Sequence, residues 1–181
     1  FMSVMNTYSG RKFDPMKIAP EDVYLEDIAH ALSLVCRGGG QIRWFYSVGQ
    51  HSINCAHEAL ARGWSDRMAL ACLLHDASEC YISDVIRPVK VHLQNYLEIE
   101  SMIMDAIWEK FHLDDLTDEE NQKWKQIDNE LLELELKTLM KGEKDRKIIP
   151  LSSTPDLSER TFSSVEKEFK ELALELLQKL S

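Results

Sequence analysis

Ala69-Leu70-Ala71-Cys72-Leu73-Leu74-His75-Asp76-Ala77-Ser78-Glu79 is an apolar run that ends in an imidazole and a carboxylate side by side. The run reads as a buried helix, and a buried unpaired charge is expensive, so the pair calls for a partner such as a metal ion. Borderline metals accept nitrogen and oxygen donors together, which makes His75-Asp76 half of a candidate site. Upstream, Ser65 or Asp66 is placed to cap this helix, and Met68, Leu70, Ala71 and Leu74 form its apolar positions. Downstream, the helix is expected to fray near Tyr81, because Ser83-Asp84 and Arg87-Pro88 read as loop and helix break.

Moving outward, the helical pattern repeats on both sides. Residues 1–20 read as an extended arm with turns at Gly10, Pro15 and Pro20. Pro20-Glu21-Asp22 opens a first helix, with Ile28, Leu32 and Val35 at helical spacing, and Gly38-Gly39-Gly40 ends it. Ser47 followed by Gln50 is a capping-box pattern, which puts His51 in the first turn of a second helix running to Gly63. Beyond the His-Asp pair, a fourth helix spans about Leu93 to Phe111, with Ile99, Ile103, Ala106, Ile107 and Phe111 on one face. Thr117-x-x-Glu120 is another capping box, starting a fifth helix that is expected to reach Lys141 and that contains Asp128. Lys147 to Asp156 is a connection with two prolines, and Val165, Phe169, Leu172 and Leu176 mark a last helix. No strand pattern or repeat stands out. The expectation is a single all-α domain over 1–181, a bundle of about six helices with a core at about 21–141 and a C-terminal helix at about 157–180.

Composition narrows the function. The chain of 181 residues is 44% hydrophobic and 29% charged, with a net charge of −10 and no cluster of basic residues. A long nucleic acid or an anionic membrane surface is an unsuitable partner, because neutralising phosphates needs a basic face. A small phosphorylated molecule remains suitable, since one or two arginines hold a phosphate locally. No stretch approaches the ~20 apolar residues of a membrane helix, and the first residues lack a basic region before an apolar core. Cys36, Cys55, Cys72 and Cys80 lack metal-site or redox spacing, so buried reduced thiols in a cytoplasmic protein are expected.

His51, His75-Asp76 and Asp128 fall on three different expected helices and together make a mixed nitrogen and oxygen set suited to Mn, Fe, Co, Ni or Zn. Alone, His51 reads as a packed helical histidine and Asp128 as part of an acidic face; the combination with His75-Asp76 changes both readings.

The order His51, His75-Asp76, Asp128 resembles the H…HD…D signature of the HD-domain metal-dependent phosphohydrolases. Phe45-Tyr46-Ser47-Val48-Gly49-Gln50-His51-Ser52 and Leu73 to Glu79 are similar to the blocks around the metal-binding histidines of a nucleotidase-like branch. Glu26-Asp27-Ile28-Ala29-His30-Ala31-Leu32-Ser33 is similar to that branch's opening helix, and the likeness covers roughly Tyr8 to Glu135. The resemblance implies one divalent ion (Mn, Co, Fe, Ni, Mg or Zn) on His51, His75, Asp76 and Asp128, and catalytic roles for Glu79 and Asp84. It implies an arginine for the substrate phosphate, often beside a tryptophan. Arg37 and Arg43-Trp44 both suit that description, and Lys90 is a weaker candidate. Trp44, Phe45 and Tyr46 are candidates for packing on sugar or base, and His30 for supporting the site through packing or a hydrogen bond.

The implied activity is release of phosphate from a nucleoside or deoxynucleoside 5′-monophosphate. The alternatives are an HD phosphodiesterase or pyrophosphohydrolase, and a metal- and nucleotide-binding regulatory domain without turnover. Glu79 is followed by Cys80, where the alarmone-hydrolysing branches have Glu-Asp. His57-Glu58 lacks the second histidine of a zinc protease, and Gly38-Gly39-Gly40 lacks the Lys-Ser/Thr of a phosphate-binding loop. A homodimer is a further expectation, with the apolar stripes of the fourth and last helices available for the contact.

Overall fold

A computed structural model describes residues 4–181. Six longer helices make the bundle: α1 (Leu25–Leu34), α2 (Val48–Ala61), α3 (Asp66–Leu74), α6 (Gln94–Lys110), α7 (Asp118–Leu139) and α8 (Phe162–Leu180). Single turns α4 (Glu79–Ile82) and α5 (Arg87–Lys90) lie between α3 and α6.

The helix starts follow side-chain-to-backbone chemistry. The hydroxyls of Ser47, Ser65, Thr117 and Thr161 accept from the amides of Gln50, Met68, Glu120 and Ser164, each satisfying an N-terminal donor that has no intrahelical partner. Thr117 and Glu120 complete a reciprocal capping box. Ser47 and Gln50 make only half of one. The Gln50 side-chain amide instead donates to the carbonyls of Asp156 and Ser158, fastening the connection before α8 to α2.

α2 and α3 form the centre of the bundle, with α1 and α8 packed on both of them or on α2 and α7 packed against the pair. Every residue from Ala69 to Leu74 is fully buried, which accounts for the uninterrupted apolar run. The α6 stripe (Ile103, Ala106, Ile107) and the α8 stripe (Val165, Phe169, Leu172, Leu176) are buried in this same core, so both are used within the chain. Gly49 lets α2 approach α1 closely: a Cβ there would stand 3.2 Å from backbone atoms of Leu32 and Ser33.

Four local expectations need correction. A two-stranded hairpin, β1 (Met5–Asn6) with β2 (Lys12–Phe13), occurs inside the expected extended arm, closed by a turn at Gly10 with φ +80°. Pro20–Asp22 is a separate 3₁₀ turn, because Val23 and Tyr24 are extended before α1. Arg87-Pro88 begins the helical turn α5, where proline occupies an early position whose N–H would be unpaired anyway. Most consequential, α3 ends at Leu74 and does not run to Tyr81. The chain leaves it through tight turns, with Ala77 N bonded to Leu74 O at 2.9 Å and Glu79 N to Asp76 O at 3.0 Å.

Candidate metal centre

The end of α3 places His75. With the helix stopped, the Cys72 carbonyl loses its backbone partner and accepts the Nδ1–H of the His75 ring at 2.7 Å. A carbonyl only accepts, so Nδ1 carries a proton and Nε2 is turned to the inner side. His51, in the first turn of α2, is held in the same sense by Glu135 of α7, whose Oε1 lies 2.6 Å from its Nδ1. The two Nε2 atoms face each other at 3.4 Å.

Two carboxylates complete the group. Asp128 Oδ1 is 3.0 Å from His51 Nε2 and 3.6 Å from His75 Nε2. Asp76 Oδ2 is 3.2 Å from His75 Nε2 and 3.8 Å from His51 Nε2. All four donor atoms lie within 4.8 Å of one another. Donors bound at ~2.1 Å to one ion stand roughly 3.0 to 3.4 Å apart in octahedral or tetrahedral geometry, so the spacing fits a shared cation.

The protonation balance points the same way. Burial is the largest influence on His51 and His75 and presses their pKa values down. The neighbouring carboxylates outweigh it, Glu135 and Asp128 for His51 and Asp76 and Asp128 for His75, and leave both raised. Burial raises Asp76 and Asp128, and the imidazoles outweigh that and lower both. Glu135 is lowered to about 2, burial being overcome by His51 and Arg37. Converging acceptors thus draw in positive charge, as protons when no ion supplies it. The centre is a buried cluster capable of coordinating a metal ion. Cys55, one turn along α2 and fully buried, brings its Sγ to 3.5 Å from His51 Nε2. Cys72 is likewise buried, whereas Cys36 and Cys80 are only half-buried.

The cluster opens into a cavity of about 510 Å³, within the usual range for small-molecule sites. Arg37 reaches its wall because the flanks of the glycine run are clamped together: Arg37 N donates to Tyr46 O and Val48 N to Val35 O, both at 2.9 Å. Gly38, with φ +61°, makes the turn between them. Arg37 Nη2 donates to Glu135 Oε2 at 3.0 Å, and its Nη1 lies 3.5 Å from Asp76. Among the described residues this is its one side-chain hydrogen bond, leaving donors unspent beside the cavity.

Glu79 and Asp84 also line the cavity. Glu79 is 3% exposed with Oε2 unpartnered, and burial, then Asp76 and Asp84, push its pKa well above the carboxylate range. Burial raises Asp84 as well, against the lowering effect of Arg37. Ile86 occupies the N-cap position of α5, with no side-chain cap.

Several candidates stand elsewhere. Arg43 is exposed and outside the cavity wall, its backbone amide bonded to Leu139 O at 2.9 Å. Trp44 donates its indole N–H to Leu157 O at 2.8 Å, and Tyr46 is buried with its hydroxyl 2.7 Å from Glu135 Oε1, so neither serves the cavity entrance. Phe45 is half-buried and likewise off the wall. His30 stacks on Tyr8 at 3.5 Å and bonds Glu166 at 3.1 Å, and is not part of this centre. Lys90 does line the cavity and is ion-paired to Glu100.

Two residues escaped the sequence reading. Arg87 lines the cavity, donating to Asn129 Oδ1 at 2.9 Å and to Asp128 Oδ2 at 3.3 Å. Glu135 lies seven residues after Asp128, two turns along one helix face, a spacing that signals a shared direction.

No protein-family model matches the chain. It is 38% identical over 112 residues to the uncharacterized protein YfdR of Escherichia coli K12, a match covering 62% of this chain and 60% of that protein. It is 40% identical over 111 residues to an uncharacterized protein of Rhodobacter capsulatus, covering 58% of this chain and 56% of the relative. The chain thus matches less than two thirds of the length of these curated relatives.

Proposed function

We propose that the protein is a metal-dependent phosphohydrolase of the HD type that releases phosphate from nucleoside or deoxynucleoside 5′-monophosphates. The observation that carries this reading is a single cavity with two chemistries on its wall. Asp76 and Asp128 line it and converge with the buried His51 and His75 on one point, beside Arg37, an arginine with unspent N–H groups. In this reading those four residues hold one divalent ion.

When bound, a divalent ion supplies Lewis acidity and a source of hydroxide near neutral pH. The other steps belong to the chain. Arg37 orients the phosphate and offsets its charge through its fork of donors. Glu79, whose pKa is raised by burial and by its acidic neighbours, gives its proton to the leaving 5′-oxygen. Asp84, at the same wall, takes up the proton that the attacking water loses. Ile42, Leu132, Leu136 and Met140 line the cavity and offer an apolar surface for sugar and base, the role first expected of Trp44, Phe45 and Tyr46.

The test is phosphate release from a panel of nucleoside 5′-monophosphates with Mn²⁺, Co²⁺ or Mg²⁺. The wild type is expected to release phosphate and Asp76→Ala to give background. Equal activity in the two proteins overturns the site, and saturable nucleotide binding with no product under any ion makes this a binding domain.

A further inference from the structure

Glu135 is 4% exposed and receives three donors from three parts of the chain. Its Oε1 takes the His51 Nδ1–H at 2.6 Å and the Tyr46 hydroxyl at 2.7 Å, and its Oε2 takes Arg37 Nη2 at 3.0 Å. Asn54 sets the direction of the Tyr46 bond. Its Nδ2 donates to the phenol oxygen at 3.0 Å, leaving the single Tyr46 proton for Glu135. Asn54 is itself fixed, with Nδ2 also donating to Asp156 O at 2.9 Å and Oδ1 accepting the Asp156 amide at 3.2 Å.

We propose that Glu135 is the positioning residue that joins the metal centre to the phosphate-binding arginine, holding His51 in its ion-binding tautomer and Arg37 at the cavity wall with one carboxylate. This rests on the reading of His51, His75, Asp76 and Asp128 as an ion site.

Only a carboxylate serves three donors here. An amide of the same shape has one oxygen and one NH₂, so in Glu135→Gln the NH₂ must face a donor. If it faces His51, the ring relieves the conflict by moving its proton to Nε2, which points that proton into the centre. If it faces Arg37, a buried guanidinium loses its partner. Carboxylates that orient ligand histidines in this way alter metal affinity 10–100-fold when removed, about the loss expected here. Glu130 gives a matched comparison. It is a buried glutamate on the same helix, 7% exposed, but it pairs with Arg62 and Gln126 and touches no ion-site residue.

The experiment titrates Mn²⁺ alone into wild type, Glu135→Gln, Glu130→Gln and Asp76→Asn by calorimetry. The imidazole nitrogens of the Zn²⁺-loaded proteins are then read by NMR. Glu135→Gln is expected to bind Mn²⁺ 10–100-fold more weakly and to change the His51 nitrogen signals, with His75 unaltered. Glu130→Gln is expected to bind like wild type. Mn²⁺ affinity within twofold of wild type in folded Glu135→Gln overturns the proposal, as does an equal loss in Glu130→Gln. A wild-type readout holds even if Glu135→Gln fails to fold. Zn²⁺-loaded His51 must carry its proton on Nδ1, and a proton on Nε2 overturns the proposal. Failure of the underlying ion site looks different: wild type binds no Mn²⁺, or Asp76→Asn binds it unchanged.

Discussion

Arg62 and Arg37 each stand among buried carboxylates that link α2 to α7, yet the two clusters are built differently. Arg62 lies between Glu58, at 2.8 Å, and Glu130. The remaining capacity of Glu58 is taken by the amides of Ser152 and Ser153 at 2.8 Å and by the Ser153 hydroxyl. Gln126 takes the other oxygen of Glu130 at 2.7 Å. Among the described residues none of these side chains has a buried polar atom without a partner, and none lines the Arg37 cavity. Around Arg37, by contrast, two imidazole Nε2 atoms and two carboxylates point at one another, Glu79 has an orphan oxygen, and Arg37 has unspent donors. A closed network fixes structure; an open one that borders a cavity is set up to receive something else.

Substitutions should separate the two clusters. The largest effect belongs to Asp76→Ala, which should reduce phosphate release to background and abolish stabilisation by Mn²⁺. Wild type should gain about 2.7 kcal/mol at an ion concentration of about 100 Kd, a shift readable in thermal unfolding. Next, Glu79→Gln should retain Mn²⁺ binding but lower kcat by about 10²–10⁴-fold, the usual worth of a positioned proton donor.

In the closed cluster, Glu58→Ala should cost about 3 kcal/mol in urea unfolding, because Arg62 loses a buried partner and the 152–153 segment its anchor. Mn²⁺ affinity should remain that of the wild type. Thr117→Ala, at the far end of α7, should cost only about 1 kcal/mol and change neither activity nor metal binding.

The pH dependence of stability in the ion-free protein should also divide them. The folded-state pKa of Glu79 is raised, so its stabilising contribution is complete below its ordinary value of 4.5 and is lost as pH rises through the folded value. Glu79→Gln lacks this loss, and its stability relative to wild type should grow as pH increases above 4.5. Glu58 behaves in the opposite way. Burial raises it, but the Ser153, Ser152 and Arg62 hydrogen bonds lower it further, so its contribution is present above 4.5 and lost as pH falls through the lowered value. Urea midpoints across a pH series measure both.

What could be read from sequence follows the range of the interactions. Ser47, Ser65 and Thr117 cap helices through bonds three residues long, so local sequence contained them. The stripes of α6 and α8 follow helical periodicity, and the burial of both agrees with that period. His51, His75, Asp76 and Asp128 stood out as residue types on three helices, and the fold brings their donors together. The end of α3 did not stand out, because no glycine or proline follows Leu74 before Pro88, and the stop is made by backbone turns, Ala77 N to Leu74 O and Glu79 N to Asp76 O. Choosing between Arg37 and Arg43 depended on the clamp across the glycine turn, a contact between segments. Gln50 fitted its capping role by local rules, but its amide is drawn to the segment before α8, more than a hundred residues away.

On the proposed reading, His51, His75, Asp76 and Asp128 bind one divalent ion beside the Arg37 cavity, which Asp76 and Asp128 line. The most direct measurement is an anomalous-scattering map from crystals grown with Mn²⁺ and inorganic phosphate. One strong peak is expected within bonding distance of the four donor atoms, with phosphate between that peak and Arg37. Full Mn²⁺ occupancy elsewhere, with no peak among these four side chains, would contradict that reading.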